Sequence, residues 1–422
     1  MPYLLDYVEH ELATFNQKPF GPVDAAVLSQ ACMIDGAGVV PEPSALPSLI
    51  DRAVTLLAPD SRGVTFANLM RSELLEGMFT GLVPDDIRRL LMALAASPRY
   101  RDLRLCGYRS VFDEASRTQF AATTFTWRNA FSFVGFRGTD VSATGWRENF
   151  DMAYMDEVLA QGLAREYLEH MASRLPGELH VGGHSKGGNL ALYAALTCSA
   201  GACERISRVW CLDAPGFRAG RFAAEDFTRL ALRAGAGDED SAANAGTLRG
   251  DDAALVTDTP TAGAGTLRAC KIERIIPQDS LVGVLLECPV PVRVVRSNVQ
   301  GLMQHSVFTW EIAGDRSDFV NAERLGEGSQ ALHDVLAEWL GGMDDERCEQ
   351  VVDALFAALG ASGARDARDV FLGGKAFPQL VSDAARNLDE ESRDVLGAVL
   401  GDLAAIAVRR VGRDLAAAIF GE

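Results

Sequence analysis

The spacing of apolar residues predicts which parts of the chain are helices and which are strands. Up to about residue 100, apolar residues recur three and four positions apart, for example in 24–34 and 87–96, which is typical of helices packed on a core. The pattern then changes to short segments rich in β-branched and aromatic residues, with turn-like clusters between them. Three successive strands are predicted, at 103–112, 119–127 and 130–136.

Helical and strand-like segments alternate over the next part of the chain. The amphipathic stretch 155–175 predicts a long helix that ends before Pro176 and Gly177. A second helix is predicted at 188–200, and further strands are predicted at 178–183, 207–217, 270–277 and 292–297. This alternation is typical of an α/β fold in which a mostly parallel sheet is covered by helices on both faces.

The strand pattern disappears after about residue 320. Helical patterns then follow one another, in 331–343, 348–361 and 395–420. The expected organisation is a sheet domain over 1–320 and a C-terminal helical region over 321–422, either a separate small bundle or a cap on the core. Segment 234–268 is nearly free of large apolar residues, so a flexible excursion from the sheet domain is expected there.

Composition narrows the classes of function. Lys and Arg total 40 against 58 Asp and Glu in 422 residues, a net charge of −18, and no long basic run is present. Nucleic-acid binding depends on clustered basic residues, so no nucleic-acid partner is expected. No apolar window is long enough for a transmembrane segment, and Asp6, Glu9 and Glu11 lie where a secretory signal would be basic. A cytoplasmic protein is expected.

The eight cysteines lack the spacing of a metal site or a disulfide framework. They lie in apolar runs, without a C-x-x-C pair or a Cys/His cluster at zinc-like spacing. Buried, reduced thiols are expected instead.

One motif carries chemistry, the G-x-S-x-G formed by residues 183–187 between a predicted strand and a predicted helix. Such a turn projects the Ser185 hydroxyl above the sheet edge. Gly183 and Gly187 lack a Cβ atom and let strand and helix approach closely, with His184 beside the serine. The amides at the start of the helix point to where an oxyanion would form. Ser185 is therefore a candidate nucleophile.

The segment GHSKGGNLALYAA resembles the nucleophile elbow of class 3 lipase-like α/β-hydrolases, and resembles more closely a bacterial branch of undefined function with a GHSKGGN elbow. Arg137, Gly138 and the residues on either side match the FRGT block of the oxyanion loop in such lipases, with Trp146 and Asp151 at the familiar distance. The resemblance covers roughly 20–315. It implies an α/β-hydrolase fold in which the backbone amides of Thr139 and Lys186 are oxyanion donors, with the Thr139 hydroxyl as a further candidate.

A serine nucleophile needs a histidine base, and the chain has six. His305 lies in a loop-like segment after the last predicted strand, where this fold requires the base, and a similar QH-x-x-x-x-W segment occurs in the resembling branch. The others lie in helices, in a strand or beside the nucleophile: His10, His170, His180, His184 and His333. His305 is the predicted general base.

The triad acid should lie between the serine and the histidine in chain order. Asp213 and Asp279 both end predicted strands. In the resembling lipases the acid lies one strand later than Asp213, so the resemblance favours Asp279, and Asp213 is the alternative acid. Asp140, beside the oxyanion block, is a more remote candidate.

Lys186 departs from the lipase pattern, which has an apolar residue at this position. Two hypotheses account for the charge. The ammonium group pairs with a nearby carboxylate such as Asp151 and braces the oxyanion loop, or it binds an anionic headgroup of the substrate.

Together these features predict a serine hydrolase that cleaves an acyl ester or thioester of a small molecule, with lipids among the candidates, through an acyl-serine intermediate. No metal and no cofactor are implied. The C-terminal helices would shield an acyl pocket or form a homodimer. The alternatives are a catalytically silent binding protein with this fold, a helical interaction module on an inert core, and an acyltransferase or peptidase that uses the same triad.

Overall fold

The computed structural model describes residues 1–43, 56–233, 272–361 and 390–420. The excursion expected at 234–268 lies outside these residues.

The strands predicted from residue 103 onwards form one seven-stranded sheet in which their order in space equals their order in the chain. β1, β2 and β3 pair antiparallel, and β3 to β7 pair parallel. The strands are β1 (Arg104–Asp113), β2 (Thr118–Trp127), β3 (Phe131–Phe136), β4 (Glu178–His184), β5 (Ile206–Leu212), β6 (Ile272–Pro277) and β7 (Val292–Val295). The α/β fold with a mostly parallel sheet is confirmed.

Helices precede the sheet, connect its parallel strands and follow it. They are α1 (Leu4–His10), α2 (Pro22–Ala31), α3 (Pro84–Ala96), α4 (Ala143–Asp151), α5 (Leu159–Ala172), α6 (Lys186–Thr197), α7 (Ala200–Arg205), α8 (Ala224–Arg233), α9 (Glu327–Gly341), α10 (Asp345–Ala361) and α11 (Glu390–Phe420). The backbone leaves helical geometry at Gly412 within α11. The described helices include none that is long and apolar enough to span a membrane.

Alternating side chains of the strands build two cores. Phe125 and Phe133 face a cluster formed with α1 to α3, while Phe120 and Phe136 face the cluster formed with α5 to α8. Neighbouring side chains of a strand point to opposite faces, so one sheet serves both layers. Because β3, β4 and β5 are parallel, their carboxyl ends meet at one edge.

The C-terminal helices contact each other and the sheet domain. Val335 of α9 packs with Ala407 of α11. Cys348 and Val352 of α10 pack around Tyr154, just after α4. Thus α10 lies against the segment that follows the FRGT block.

Candidate active site

Ser185 lies in a sharp turn between β4 and α6. Its backbone has φ 58° and ψ −131°, a positive φ that non-glycine residues adopt rarely and at an energetic cost. The Ser185 amide donates to the Leu212 carbonyl of β5 at 2.9 Å, which holds the turn against the neighbouring strand. The strand-turn-helix predicted around the motif is present.

The two outer glycines of the motif occupy positions where a side chain would not fit. A Cβ on Gly183 would lie 2.3 Å from the carbonyl carbon of Gly187. A Cβ on Gly187 would lie 2.2 Å from the carbonyl oxygen of Phe136 at the end of β3. Close backbone approach therefore explains both glycines, as the motif suggested.

His305 and Asp213 lie together at the carboxyl edge of the sheet. His305 Nδ1 is 2.6 Å from Asp213 Oδ2. Asp213 directly follows β5, has φ 41° and is fully buried. Its other oxygen, Oδ1, accepts from Ser280 Oγ at 2.5 Å and from the Gly283 amide at 3.0 Å. The carboxylate is thus oriented from both sides, with one oxygen available to the imidazole.

Asp279 does not contact the His305 ring, so its expected role as the partner of that ring is corrected. Asp279 Oδ2 accepts from Gln304 Nε2 at 2.7 Å, and the Asp279 amide donates to Gln304 Oε1 at 3.0 Å. The reason is the strand order. Asp213 directly follows β5, which adjoins the β4 strand leading to Ser185, whereas Asp279 follows β6, one strand further away.

Asp279 instead holds the loop that carries the histidine. Gln304 is fully buried, and its Nε2 also donates to the Val299 carbonyl at 2.8 Å. Trp310 Nε1 donates to the Gln304 carbonyl at 2.8 Å. These contacts give a physical reason for the spacing of Gln304, His305 and Trp310: the glutamine and tryptophan anchor the loop, and the histidine projects from it.

His184, beside the nucleophile, also contacts the histidine loop. Its Nε2 lies 2.7 Å from the His305 carbonyl oxygen, and the two ring centroids are 4.4 Å apart. Burial, together with the neighbouring His305, holds the pKa of His184 well below its usual value. The ring is therefore neutral near pH 7, and Nε2–H donates to the carbonyl.

The pH dependence of stability should report this neutral ring. Folding lowers the pKa of His184, so below about pH 6.5 the unfolded chain binds more protons than the folded chain. The free energy of unfolding should therefore fall as the pH is lowered through this range, by at most about 1.4 kcal/mol per pH unit for one proton. Urea unfolding measured from about pH 8 to about pH 5 gives the slope.

His184→Gln is the matched variant, since its amide can still donate to the His305 carbonyl but does not titrate. Its slope should be shallower than that of the wild type. Equal slopes would show that folding does not hold this ring neutral.

The Ser185 hydroxyl neither caps α6 nor makes another hydrogen bond within the described part of the chain. It is free to meet a substrate, and hydrogen bonds of catalytic groups often tighten only when one binds. The contact between His184 and the His305 carbonyl places the loop that carries His305 against the residue that precedes Ser185.

The loop after β3 lies against the serine turn. A Cβ on Gly138 would lie 2.9 Å from the His184 carbonyl oxygen and 3.6 Å from Ser185 Cβ. The backbone amides of Thr139 and Lys186 have no acceptor among the described residues. Two donors are therefore left open beside Ser185, as an oxyanion site requires. Arg137 is buried next to them, and its Nε has no partner in the described structure.

Asn149, which sequence reasoning missed, orients the Thr139 side chain. Asn149 Nδ2 donates to Thr139 Oγ1 at 2.7 Å, which leaves the threonine hydroxyl hydrogen available for another acceptor. Asn149 lies in α4, a short helix whose largely polar sequence gave no helical signal. Only the positions of Trp146 and Asp151 pointed to this segment.

Lys186 is buried and pairs with Glu148 rather than with Asp151. Its Nζ donates to Glu148 Oε2 and, at 2.6 Å, to the Gln119 carbonyl. Burial lowers the pKa of the ammonium group, and Glu148 opposes that shift. Asp151 instead accepts from Arg147 Nε at 2.8 Å. Lys186 therefore pairs with a nearby carboxylate, as the first hypothesis expected, but the carboxylate is that of Glu148 and not that of Asp151. The ammonium group is too buried to bind a headgroup of the substrate.

The remaining acidic and histidine candidates have other contacts. Asp140 Oδ1 accepts from the amide and hydroxyl of Ser142, at 2.9 and 2.5 Å, and stabilises the turn before α4. Three distant histidines have partners for Nδ1. His10 Nδ1 contacts the Asp6 carbonyl, His180 Nδ1 accepts from the Trp210 indole, and His333 Nδ1 contacts the Val284 carbonyl. His170 lies in α5. Of the histidines outside the motif, His305 is the one placed beside Asp213.

Possible metal ligands cluster elsewhere. Within the described ranges, one group of carboxylate and imidazole atoms is close enough to share an ion, formed by Asp6, Glu9 and His10 on α1. None of these residues belongs to the surroundings of Ser185.

A comparison with known protein families matches residues 94–236 and 261–357, more than half of the chain, to a family described as Mbeg1-like. The chain belongs to the Mbeg1-like family. No curated protein matches it. The Mbeg1-like match includes Ser185, Asp213 and His305, and it ends inside α10. Membership of the Mbeg1-like family and the mostly parallel sheet agree with an α/β-hydrolase type of chain.

Proposed function

We propose that this protein is a serine hydrolase that cleaves an acyl ester or thioester, with Ser185 as nucleophile, His305 as general base and Asp213 as the acid. The contact of 2.6 Å between His305 Nδ1 and buried Asp213, next to a serine held at positive φ, carries the proposal. The three side chains come from the ends of β4 and β5 and from the loop after β7.

Each residue has a defined part in the reaction. Asp213 accepts the Nδ1–H of His305, which leaves Nε2 unprotonated and able to take the Ser185 proton. The serine oxygen then attacks the acyl carbon, and His305 returns the proton to the departing alcohol or thiol. A water molecule, deprotonated by the same histidine, releases the acid and restores Ser185.

The oxyanion formed in both steps would be stabilised by the backbone amides of Thr139 and Lys186, with the Thr139 hydroxyl as a third donor. Loss of one such donor typically lowers turnover by roughly 10²- to 10³-fold. The Lys186 ammonium group is buried against Glu148, so Lys186 contributes its backbone amide to this site and its charge stays away from the substrate.

An activity-based fluorophosphonate probe tests the nucleophile. Wild-type protein should be labelled covalently, and Ser185→Ala should not, because labelling needs a serine activated by its base. Ser116→Ala, in the exposed turn between β1 and β2, is the matched control and should label like the wild type. Mass spectrometry of the labelled peptide identifies the modified residue.

If the wild type is not labelled although its circular dichroism spectrum shows a folded protein, the catalytically silent binding protein would be favoured instead. Product analysis with added alcohols or amines separates hydrolysis from acyl transfer, since a transferase would give the new ester or amide as the main product.

A further inference from the structure

α4 presents three successive residues to three different parts of the molecule. Arg147 faces α10, Glu148 pairs with Lys186 of the helix that begins at the serine, and Asn149 donates to the Thr139 hydroxyl. The start of α4 touches the same loop, because a Cβ on Gly145 would lie 3.1 Å from Thr139 Cγ2. A displacement of α4 would therefore reach the oxyanion loop directly.

The outer side of α4 is held by α10. Asp353 Oδ1 lies 2.6 Å from Arg147 Nη2, and the Arg147 guanidinium lies over the Phe356 ring at 5.4 Å from its centroid. Phe356 also packs edge-on against Phe150, with ring centroids 5.5 Å apart. The Arg147 side chain is 10% exposed and also binds Asp151, whereas that of Asp353 is 52% exposed, so the ion pair lies at the solvent edge of the contact and Phe356 supplies its buried part.

We propose that α10 is a positioning element for the oxyanion site: Asp353 and Phe356 fix α4, and α4 fixes Thr139 through Asn149. The inference rests on the proposed function, and it gives α10 a positioning role in catalysis without contact with substrate. The match to the family ends at residue 357 and so includes both side chains.

The decisive variant, the clamp variant, combines Asp353→Asn with Phe356→Ala in the full-length protein. With a neutral ester, kcat should fall about tenfold while KM stays unchanged, the size of effect expected from coupling through a packed element. In a Thr139→Val background the same pair of changes should cause little further loss, because the side-chain hydroxyl that α4 orients through Asn149 is already gone. Asn149→Asp should behave like the clamp variant, since its carboxylate would capture the Thr139 hydroxyl hydrogen.

Asp345→Asn is the matched control. Asp345 is also on α10 and binds Arg218 at 2.6 Å, but Arg218 has a second partner in Asp156 and does not contact α4. Its kcat should equal that of the wild type. An equal loss in the control, or a clamp effect that is undiminished by Thr139→Val, would show that α10 acts through general stability and would overturn the inference.

Hydrogen–deuterium exchange separates failure of this inference from failure of the proposed function. Peptides covering 137–142 should exchange faster in the clamp variant, whereas peptides from α6 should not change. Unchanged exchange at 137–142 overturns the inference even if the protein is an active esterase. Faster exchange in a protein without turnover or probe labelling overturns the proposed function, and with it the catalytic role proposed for α10.

Discussion

Asp213→Asn should lower kcat by about 10⁴-fold, the loss typical of a triad aspartate, whereas Asp279→Asn should cause only a small loss. The asparagine has the same shape, but its amide nitrogen can face His305 Nδ1 and force the imidazole to carry its proton on Nε2. A ring in that tautomer cannot take the Ser185 proton. Asp279 contacts Gln304, so its amide substitute can preserve part of the loop's anchoring. Turnover of a chromogenic ester by both variants, with matched unfolding curves, measures the difference.

The two substitutions control for each other, because both remove one negative charge at the carboxyl edge of the sheet. Asp213 has a further structural part, since it accepts from Ser280 and the Gly283 amide. Thermal unfolding therefore accompanies the kinetics. A larger loss of kcat in Asp279→Asn than in Asp213→Asn would identify Asp279 as the triad acid. The histidine loop would then have to rearrange before catalysis.

The sheet and its main helices could be predicted because their signals are local. Each strand from β1 to β7 is a short apolar run with turn residues on both sides, and α5 and α6 have regular helical spacing. α4 has no such signal. Its residues are mostly polar and several are buried through specific partners such as Lys186, so its helical state follows from tertiary contacts.

The carboxylate that contacts His305 could not be chosen from the sequence for a related reason. Asp213 and Asp279 both follow apolar strands, and local patterns are the same for both. What separates them is the order of strands in space and the positive φ at Asp213, neither of which leaves a trace in residue types. The resemblance to lipases favoured Asp279, and the hydrogen bonds of Gln304 explain its actual position.

The partner of Lys186 could also not be chosen from the sequence, although the correct segment was identified. Glu148 and Asp151 are three residues apart, nearly one turn of the same helix. The expectation of a carboxylate on this segment was sound, but the rotation of α4 about its axis decides which one faces the lysine. Phe150 and Arg147 of the same helix contact α10, about two hundred residues further along the chain, and such distant contacts cannot be inferred from the local sequence.

Lys186→Met should destabilise the protein by about 3–5 kcal/mol, because it leaves Glu148 charged and buried without its cation. The two side chains are only 1% and 2% exposed. Glu148 keeps the Gln119 and Ala160 amides as donors at 3.0 Å, which places the expected loss toward the lower end. The free energy of unfolding in urea measures the effect.

The paired variant Lys186→Met with Glu148→Gln separates the ion pair from packing. Removal of both charges should recover much of the stability lost in Lys186→Met, since no buried charge remains unpaired. The backbone amide at 186 is unaltered, so at a temperature where the variants are folded the ratio of turnover for anionic and neutral esters should equal that of the wild type. A selective loss with anionic esters would place the ammonium group in the substrate site, and a paired variant no more stable than Lys186→Met would show that volume, not charge, makes this position sensitive.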